Sequence, residues 1–202
     1  AWRRDHLAAK VVGRWTSGAP LVLAPDHDDP AVARSNDFRY HAADPDGLAC
    51  PVGAHIRRVN PRDALEPAPG TDRSLEVNKR HRLLRRSRSY RTEGPANGRA
   101  AEGGEERGLY FFCLNANLAR QYEFVQHTWI NNPVFNGRYH ETDPLVGGRH
   151  TGATFTEPAR PVRRRHRGLP QFVTVRGGAY FFLPGLSALR YLTNLTVEKG
   201  PS

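Results

Sequence analysis

CPVGAHIRRVNPRDAL, Cys50 to Leu65, is the stretch from which the rest of the chain can be read. It sets one histidine, His55, between a tight apolar approach (Pro51, Val52, Gly53, Ala54) and a run of cations (Arg57, Arg58, Arg62). An imidazole with a dry wall on one side and guanidinium groups on the other suits a metal cofactor with negatively charged arms. Haem meets that description, because its iron takes an axial imidazole and its propionates need cations. His55 is placed at the start of a short helix that Asn60-Pro61 ends, since the residue before a proline is pushed out of the helical region. For most of the nine histidines the expected role is a hydrogen-bonded core or surface residue.

Upstream, residues 2–15 predict an amphipathic helix, with Leu7, Val11, Val12 and Trp15 near helical spacing and charges between them. Thr16 to Pro20 breaks it, and Leu21 to Leu23 forms a short apolar run. Asp26, Asp28 and Asp29 follow, but they lack the spacing and the distal glutamate of an EF-hand loop, so a solvated turn is expected. Asp44-Pro45-Asp46-Gly47 is a turn signal.

Downstream, residues 66–80 are polar and proline-bearing and predict a loop. HRLLRRSRSYR, His81 to Arg91, is the densest basic run and suits an edge strand or a nucleic-acid patch. Residues 92–107 have the composition of a surface loop. Gly108 to Leu114 predicts a buried strand, with Leu109, Phe111 and Cys113 on one face and Tyr110 and Phe112 on the other. Leu118, Tyr122, Val125 and Trp129 predict a helix over 117–131, capped by Asn117 and stopped by Asn132-Pro133. Residues 134–170 read as irregular and include a cationic run, Arg163 to Arg167. Phe172 to Val175 and Ala179 to Leu183 predict strands, and a final helix is expected to turn Leu186, Leu189 and Leu192 inward. Strands and helices mix without a regular alternation, so the fold class is α+β, in one domain.

The net charge of +10, from 30 Lys+Arg against 20 Asp+Glu, favours anionic partners such as nucleic acid, acidic surfaces, anionic dyes or propionates. No helix-turn-helix, zinc or RNA-recognition signature accompanies the charge, so a nucleic-acid-binding module is an alternative rather than the main reading. Two cysteines, Cys50 and Cys113, exclude a disulfide framework and a Cys-rich zinc site. No apolar run approaches the length of a membrane span, so no membrane partner is expected, and the cytoplasm is the expected compartment. The chain has no methionine and begins with Ala, which leads us to expect a piece of a longer protein.

GRWTSGAPLVLAPDHDDP, NDFRY, CPVGAHIRRVNPR, LRRSRSY, RGLYFFCLNANLARQYEFVQHTWINN, DPLVGG and FVTVRGGAYFFLP follow one another in this order. Together they resemble the dye-decolourising (DyP-type) haem peroxidases over almost the whole chain. The resemblance implies a ferredoxin-like domain over 1–202, similar to the second of the family's two ferredoxin-like halves, with one heme b per chain. It implies reduction of hydrogen peroxide and oxidation of dyes or phenolic compounds through ferryl intermediates. The partners would be peroxide and a reducing small molecule, with a homo-oligomer left open.

His55 matches the proximal metal ligand, and Asp143, in DPLVGG, matches the acceptor that makes it more basic. Arg85 matches the distal arginine, because the aromatic Tyr90 follows it at the family's spacing; Arg86 competes but would face the other way. Ser87 and Arg91 stand where glycines are common in the family. Leu109 and Phe111 match distal-wall positions. Arg57 ranks first among the cations for a propionate, ahead of Arg58 and Arg62. Tyr90, Trp15 and Trp129 could relay electrons, although core packing is expected of both tryptophans. The family's GxxDG motif, which supplies a distal proton-shuttling aspartate, does not occur in the sequence. General acid–base transfer of that kind contributes roughly a hundred- to ten-thousandfold in rate. The chain alone is therefore expected to bind haem poorly and turn over slowly, and a truncated, non-catalytic haem-binding relative is the alternative.

Overall fold

Helix α1, Trp2–Val12, ends at Gly13, whose φ of 98° is a left-handed stop that favours glycine. The computed structural model describes residues 2–92, 106–148 and 153–195. A Cβ on Gly13 would meet Cys50 Sγ and Ile56 Cβ at 3.4 Å each, so α1 ends against the residues that lead into and begin α3 (His55–Val59). The buried face of α1 is Ala9, Lys10 and Val11, one step around from the expected Leu7 and Val12, which are half-buried. Lys10 is tolerated inside because its Nζ donates to Leu48 O (2.7 Å) and Ala49 O (2.6 Å).

Two apolar clusters flank α3. Trp15, Leu21, Phe38, Tyr40, Cys50 and Ala54 belong to the first. Val52, Val125, Trp129, Ile130 and Phe135 form the second. Trp15 and Trp129 are core residues, as expected, and the Trp15 indole donates to Ala24 O at 2.7 Å. The acidic stretch is a turn: Asp28 accepts from Ser17, and Asp29 caps a short 3₁₀ turn, Pro30–Val32. The short helix α2, Tyr40–Ala43, is held at its first turn by the buried Asp63 carboxylate, which accepts the Tyr40, His41 and Ala42 amides.

The stretch 66–80 is not all loop. It contains α4, Asp72–Lys79, because the Thr71 side chain caps the Ser74 amide and Asp72 sits in the first turn, where the helix dipole favours an acid. After α4 come β1 (Leu84–Arg85) and β2 (Arg88–Thr92), then β3 (Glu106–Tyr110) and β4 (Cys113–Leu114). β1 pairs antiparallel with β4, and β2 with β3. Thr92 and Glu106, at the two ends of the expected 92–107 loop, are thus a paired strand position; residues 93–105 lie outside the described residues.

Four further expectations change. The predicted buried strand is split between β3 and β4 and faces solvent, with Leu109 60% and Phe112 58% exposed. The irregular region 134–170 holds a hairpin, β5 (Thr154–Glu157) with β6 (Arg164–Arg167). There Glu157 accepts from His166 (3.0 Å) and pairs with Arg164 (3.9 Å), which accommodates the cationic run as a strand. Residues 169–185 join no sheet among the described residues, and Phe181 and Phe182 are 88% and 87% exposed. Helix α5, Leu186–Asn194, forms, but Leu186, Leu189 and Leu192 are exposed rather than inward, because no described element packs over them.

The helix over 117–131 is present as two π-helical segments, Ala119–Glu123 and Val125–Ile130. Glu123 N donates to Leu118 O and Asn131 N to Gln126 O, five residues back at 3.0 Å each. Asn117 caps it by accepting from Arg120 N. Val125 and Trp129 are buried as the spacing predicts, whereas Leu118 is exposed. The class is α+β, with the second π segment packed on α3.

Candidate functional site

His55 opens α3, and its imidazole is partly buried with its side chain 20% exposed. Its Nδ1 lies 2.9 Å from Asp143 Oδ2. The other Asp143 oxygen, Oδ1, accepts the amides of Leu145 (2.9 Å) and Val146 (3.0 Å). The turn aspartate before Pro144 and the partner of His55 are therefore one carboxylate with its two oxygens divided between two tasks. An ionised carboxylate only accepts, so Nδ1 carries a proton, and in the neutral imidazole Nε2 then presents its lone pair. Gly147 closes this turn: a Cβ there would lie 2.6 Å from Asp143 O and 2.7 Å from Asp143 N.

Burial is the largest single influence on the Asp143 carboxyl and pushes its pKa up. The hydrogen bond and charge of His55, with the Val146 and Leu145 amides, outweigh it and hold the group below the usual carboxylate range.

The Asp143 turn is fastened to the helix that precedes it, through Asp143 N donating to Ile130 O at 2.8 Å. Arg58, fully buried, reaches across from α3. Its guanidinium donates to Trp129 O, Asn132 O and Glu141 O, the last at 3.0 Å, and lies 4.8 Å from the centre of the Phe135 ring. Burial draws its pKa down to about 10, against the opposing pull of the Asp143 and Glu141 charges. Glu141 is itself buried, and its carboxylate accepts from Thr156 of β5.

The cations expected around a cofactor are turned elsewhere. Arg57, ranked first for a propionate, is 2% exposed and donates to Asp44 Oδ2 (3.2 Å) and Cys50 O (2.8 Å). Tyr40 lies beside it, its ring centre 4.7 Å from the guanidinium carbon. Asp44, which engages this guanidinium, also holds the Ala49 and Cys50 amides. Arg62 donates to Asn36 O and Phe38 O and packs over the Phe38 ring. A helix advances about 100° per residue, so consecutive arginines leave α3 on different sides, and sequence adjacency to His55 does not set their direction. Cys50 is buried, and burial pushes its thiol up to about 12, which keeps it protonated.

Arg85 stands opposite Cys113 in the β1–β4 pair and faces solvent; among the described residues no hydrogen bond holds its guanidinium. Arg86 instead folds back, its guanidinium on Arg85 O and its amide on Phe112 O, at 2.8 Å each. Tyr90 stands opposite Gly108, its ring 4.7 Å from that of Tyr110, and Leu109 stands opposite Ser89. Phe111 follows β3 directly and is exposed. The structure thus joins His55 to Asp143. Arg85, Tyr90, Leu109 and Phe111 are grouped on neighbouring strands, with no hydrogen bond from that group to His55 among the described residues.

Arg58, Asp44, Asp63 and Lys10 were not singled out from sequence as organisers. Asp63 had a legible signal, a short acid after Asn60-Pro61, but the helix it caps starts 23 residues earlier.

Among the described residues no group of three or more His, Cys, Asp or Glu side chains is placed to hold a metal ion. A single imidazole with a free Nε2 suits a metal that arrives with its other ligands already supplied, as a porphyrin does.

No protein-family model matches the chain. A dye-decolorizing peroxidase of Exidia glandulosa is 37% identical over 93% of this chain, which covers 38% of that protein. The multifunctional dye peroxidase DyP2 of Amycolatopsis sp. is 35% identical over 94% of the chain, which covers 42% of it. A solved dye-decolorizing peroxidase in complex with cyanide superposes with a TM-score of 0.70 at 32% identity, over 93% of this chain and 42% of that one. The chain spans about two fifths of the length of the curated relatives it matches.

Proposed function

This chain belongs to the dye-decolorizing (DyP-type) peroxidase family, whose members are haem enzymes, and we propose that it is the haem-binding part of such a peroxidase. The observation that carries the reading is the 2.9 Å contact between His55 Nδ1 and the buried Asp143, which leaves Nε2 open. His55 would hold the iron of one heme b per chain. When bound, haem would supply the redox chemistry by which peroxide is reduced and a dye or phenol oxidised.

The chain's own residues do the rest. Asp143 keeps the proton on Nδ1 and makes the imidazole a stronger donor. Arg85 offers a guanidinium that no hydrogen bond holds among the described residues, suited to the negative charge that develops on a breaking peroxide. Leu109 and Phe111 would form the apolar wall beside it, and Tyr90, whose ring is tilted against that of Tyr110, would carry electrons from substrates too bulky to enter.

In this reading residues 1–202 are the C-terminal, ferredoxin-like half. Two observations support it: the chain spans about two fifths of its relatives, and Leu109, Phe111, Phe181 and Phe182 present apolar surface that a folded protein ordinarily covers. The GxxDG aspartate would lie in the remainder. No helix among the described residues is long and apolar enough to cross a membrane.

The exposure of Arg85 and its neighbours favours a second reading, in which the chain by itself binds haem without turning over. Peroxide-dependent dye oxidation by the hemin-loaded chain separates the two. The peroxidase reading predicts slow turnover that Arg85→Leu lowers by roughly a hundredfold without changing the ferric spectrum. Turnover no higher than that of free hemin establishes the second reading, and equal rates for both proteins remove Arg85 from the site.

A further inference from the structure

We propose that Arg58 is a positioning residue that sets the tautomer of His55 by clamping the loop that carries Asp143 onto α3. The proposal rests on the reading that His55 Nε2 is the working atom. Arg58 follows His55 by three residues on the same short helix, so whatever it grips is tied to the imidazole through less than one helical turn.

Its grip is on both ends of one loop. Trp129 O and Asn132 O lie where the second π segment ends, and Glu141 O lies two residues before Asp143. Between them, Asp143 N is held by Ile130 O at 2.8 Å. The planar guanidinium fork reaches three carbonyls at once, which an ammonium on a flexible stem cannot reproduce in the same geometry. Phe135 closes one face of the fork at 4.8 Å, and no part of the residue is exposed.

The consequence falls on a proton. A neutral imidazole in water prefers the hydrogen on Nε2, the tautomer that cannot ligate through Nε2. A carboxylate fixed at hydrogen-bond distance from Nδ1 reverses that preference, and the reversal fails if the acceptor drifts by about 1 Å. Asp143 is fixed in its own turn by Leu145, Val146 and Gly147, but those contacts do not place the turn against α3. Arg58 does.

The test reads the tautomer directly and needs no cofactor. Nitrogen-15 NMR of the His55 ring, at mildly alkaline pH, reports which nitrogen carries the proton, with Asp143→Ala as the reference for a lost acceptor. The wild-type chain is expected to show the Nδ1–H form. Arg58→Lys and Arg58→Met are expected to shift toward Nε2–H, as in Asp143→Ala, and to weaken hemin binding by about 10- to 100-fold. Phe135→Leu, which loosens the fork but leaves its carbonyls, is expected to give a smaller shift and keeps the test open if both arginine variants fail to fold. A wild-type tautomer in every folded variant, whatever the loss in unfolding midpoint, overturns the proposal and leaves the haem reading intact. A shifted tautomer in a protein whose wild type binds no hemin has the opposite meaning: Arg58 positions the pair, and the haem reading fails.

Discussion

Around His55 the strongly polar groups serve one another. Asp143 divides its oxygens between His55 and two amides, Arg58 holds three carbonyls, and Arg57 is buried against Asp44. Around Arg85 the side chains face water: the guanidinium has no hydrogen-bond partner among the described residues, and Leu109, Phe111 and Phe112 are about half exposed or more. Electrostatic stabilisation of a reacting oxygen depends on dry, fixed surroundings, where charges act most strongly. The first region already has those surroundings. The second has the residue types without the enclosure, so this chain by itself should fix a haem from one side more firmly than it can shape the chemistry on the other.

Substitutions that unbalance this contrast should differ in size. Asp63→Ala, on the ordered side, strips the carboxylate from three amides at the start of α2 and should cost about 3 kcal/mol or more in a denaturant melt. Asp143→Asn should weaken hemin affinity by about 10- to 100-fold in a titration while leaving most of the fold in place. Acid should act on the same residue. The folded-state pKa of Asp143 is lowered, so its contribution is fully present above the ordinary carboxylate range near 4 and is lost as pH falls through its lower folded value. Unfolding midpoints followed below about pH 4 should therefore fall less steeply in Asp143→Asn than in the wild type. On the other side, Phe182→Ser should change stability by less than about 0.5 kcal/mol, because the ring is 87% exposed, and should reduce self-association measured by sedimentation. A large loss of stability from that last variant would erase the distinction between the two regions.

The ordered region was the legible one. A helix beginning at His55 and ending before Pro61 followed from local backbone rules, whereas Asp143 was reached through the family resemblance of the DPLVGG stretch, and the structure adds that Gly147 packs tightly against its backbone. Direction was harder to read than identity. Arg57, Arg58 and Arg62 are adjacent in sequence to His55, yet they point to Asp44, to three loop carbonyls and to Phe38. In the exposed region, composition misled. GLYFFCL and the stretch around Phe181 are apolar enough for central strands, but burial belongs to a pair of surfaces and cannot be read from one. Proline and glycine around α4 hid a helix that Thr71 caps well, and a run of arginines hid a strand because Glu157, one strand away, neutralises part of its charge.

The central claim is that His55, held by Asp143, is the residue through which this chain takes a haem. Hemin titration of the wild-type chain and of His55→Ala, followed by absorption spectroscopy, tests it most directly. The account predicts a saturable, one-to-one ferric spectrum of histidine ligation in the wild type that is absent in a folded His55→Ala protein. The same spectrum persisting in His55→Ala, or a folded wild-type chain that gives none, would contradict it.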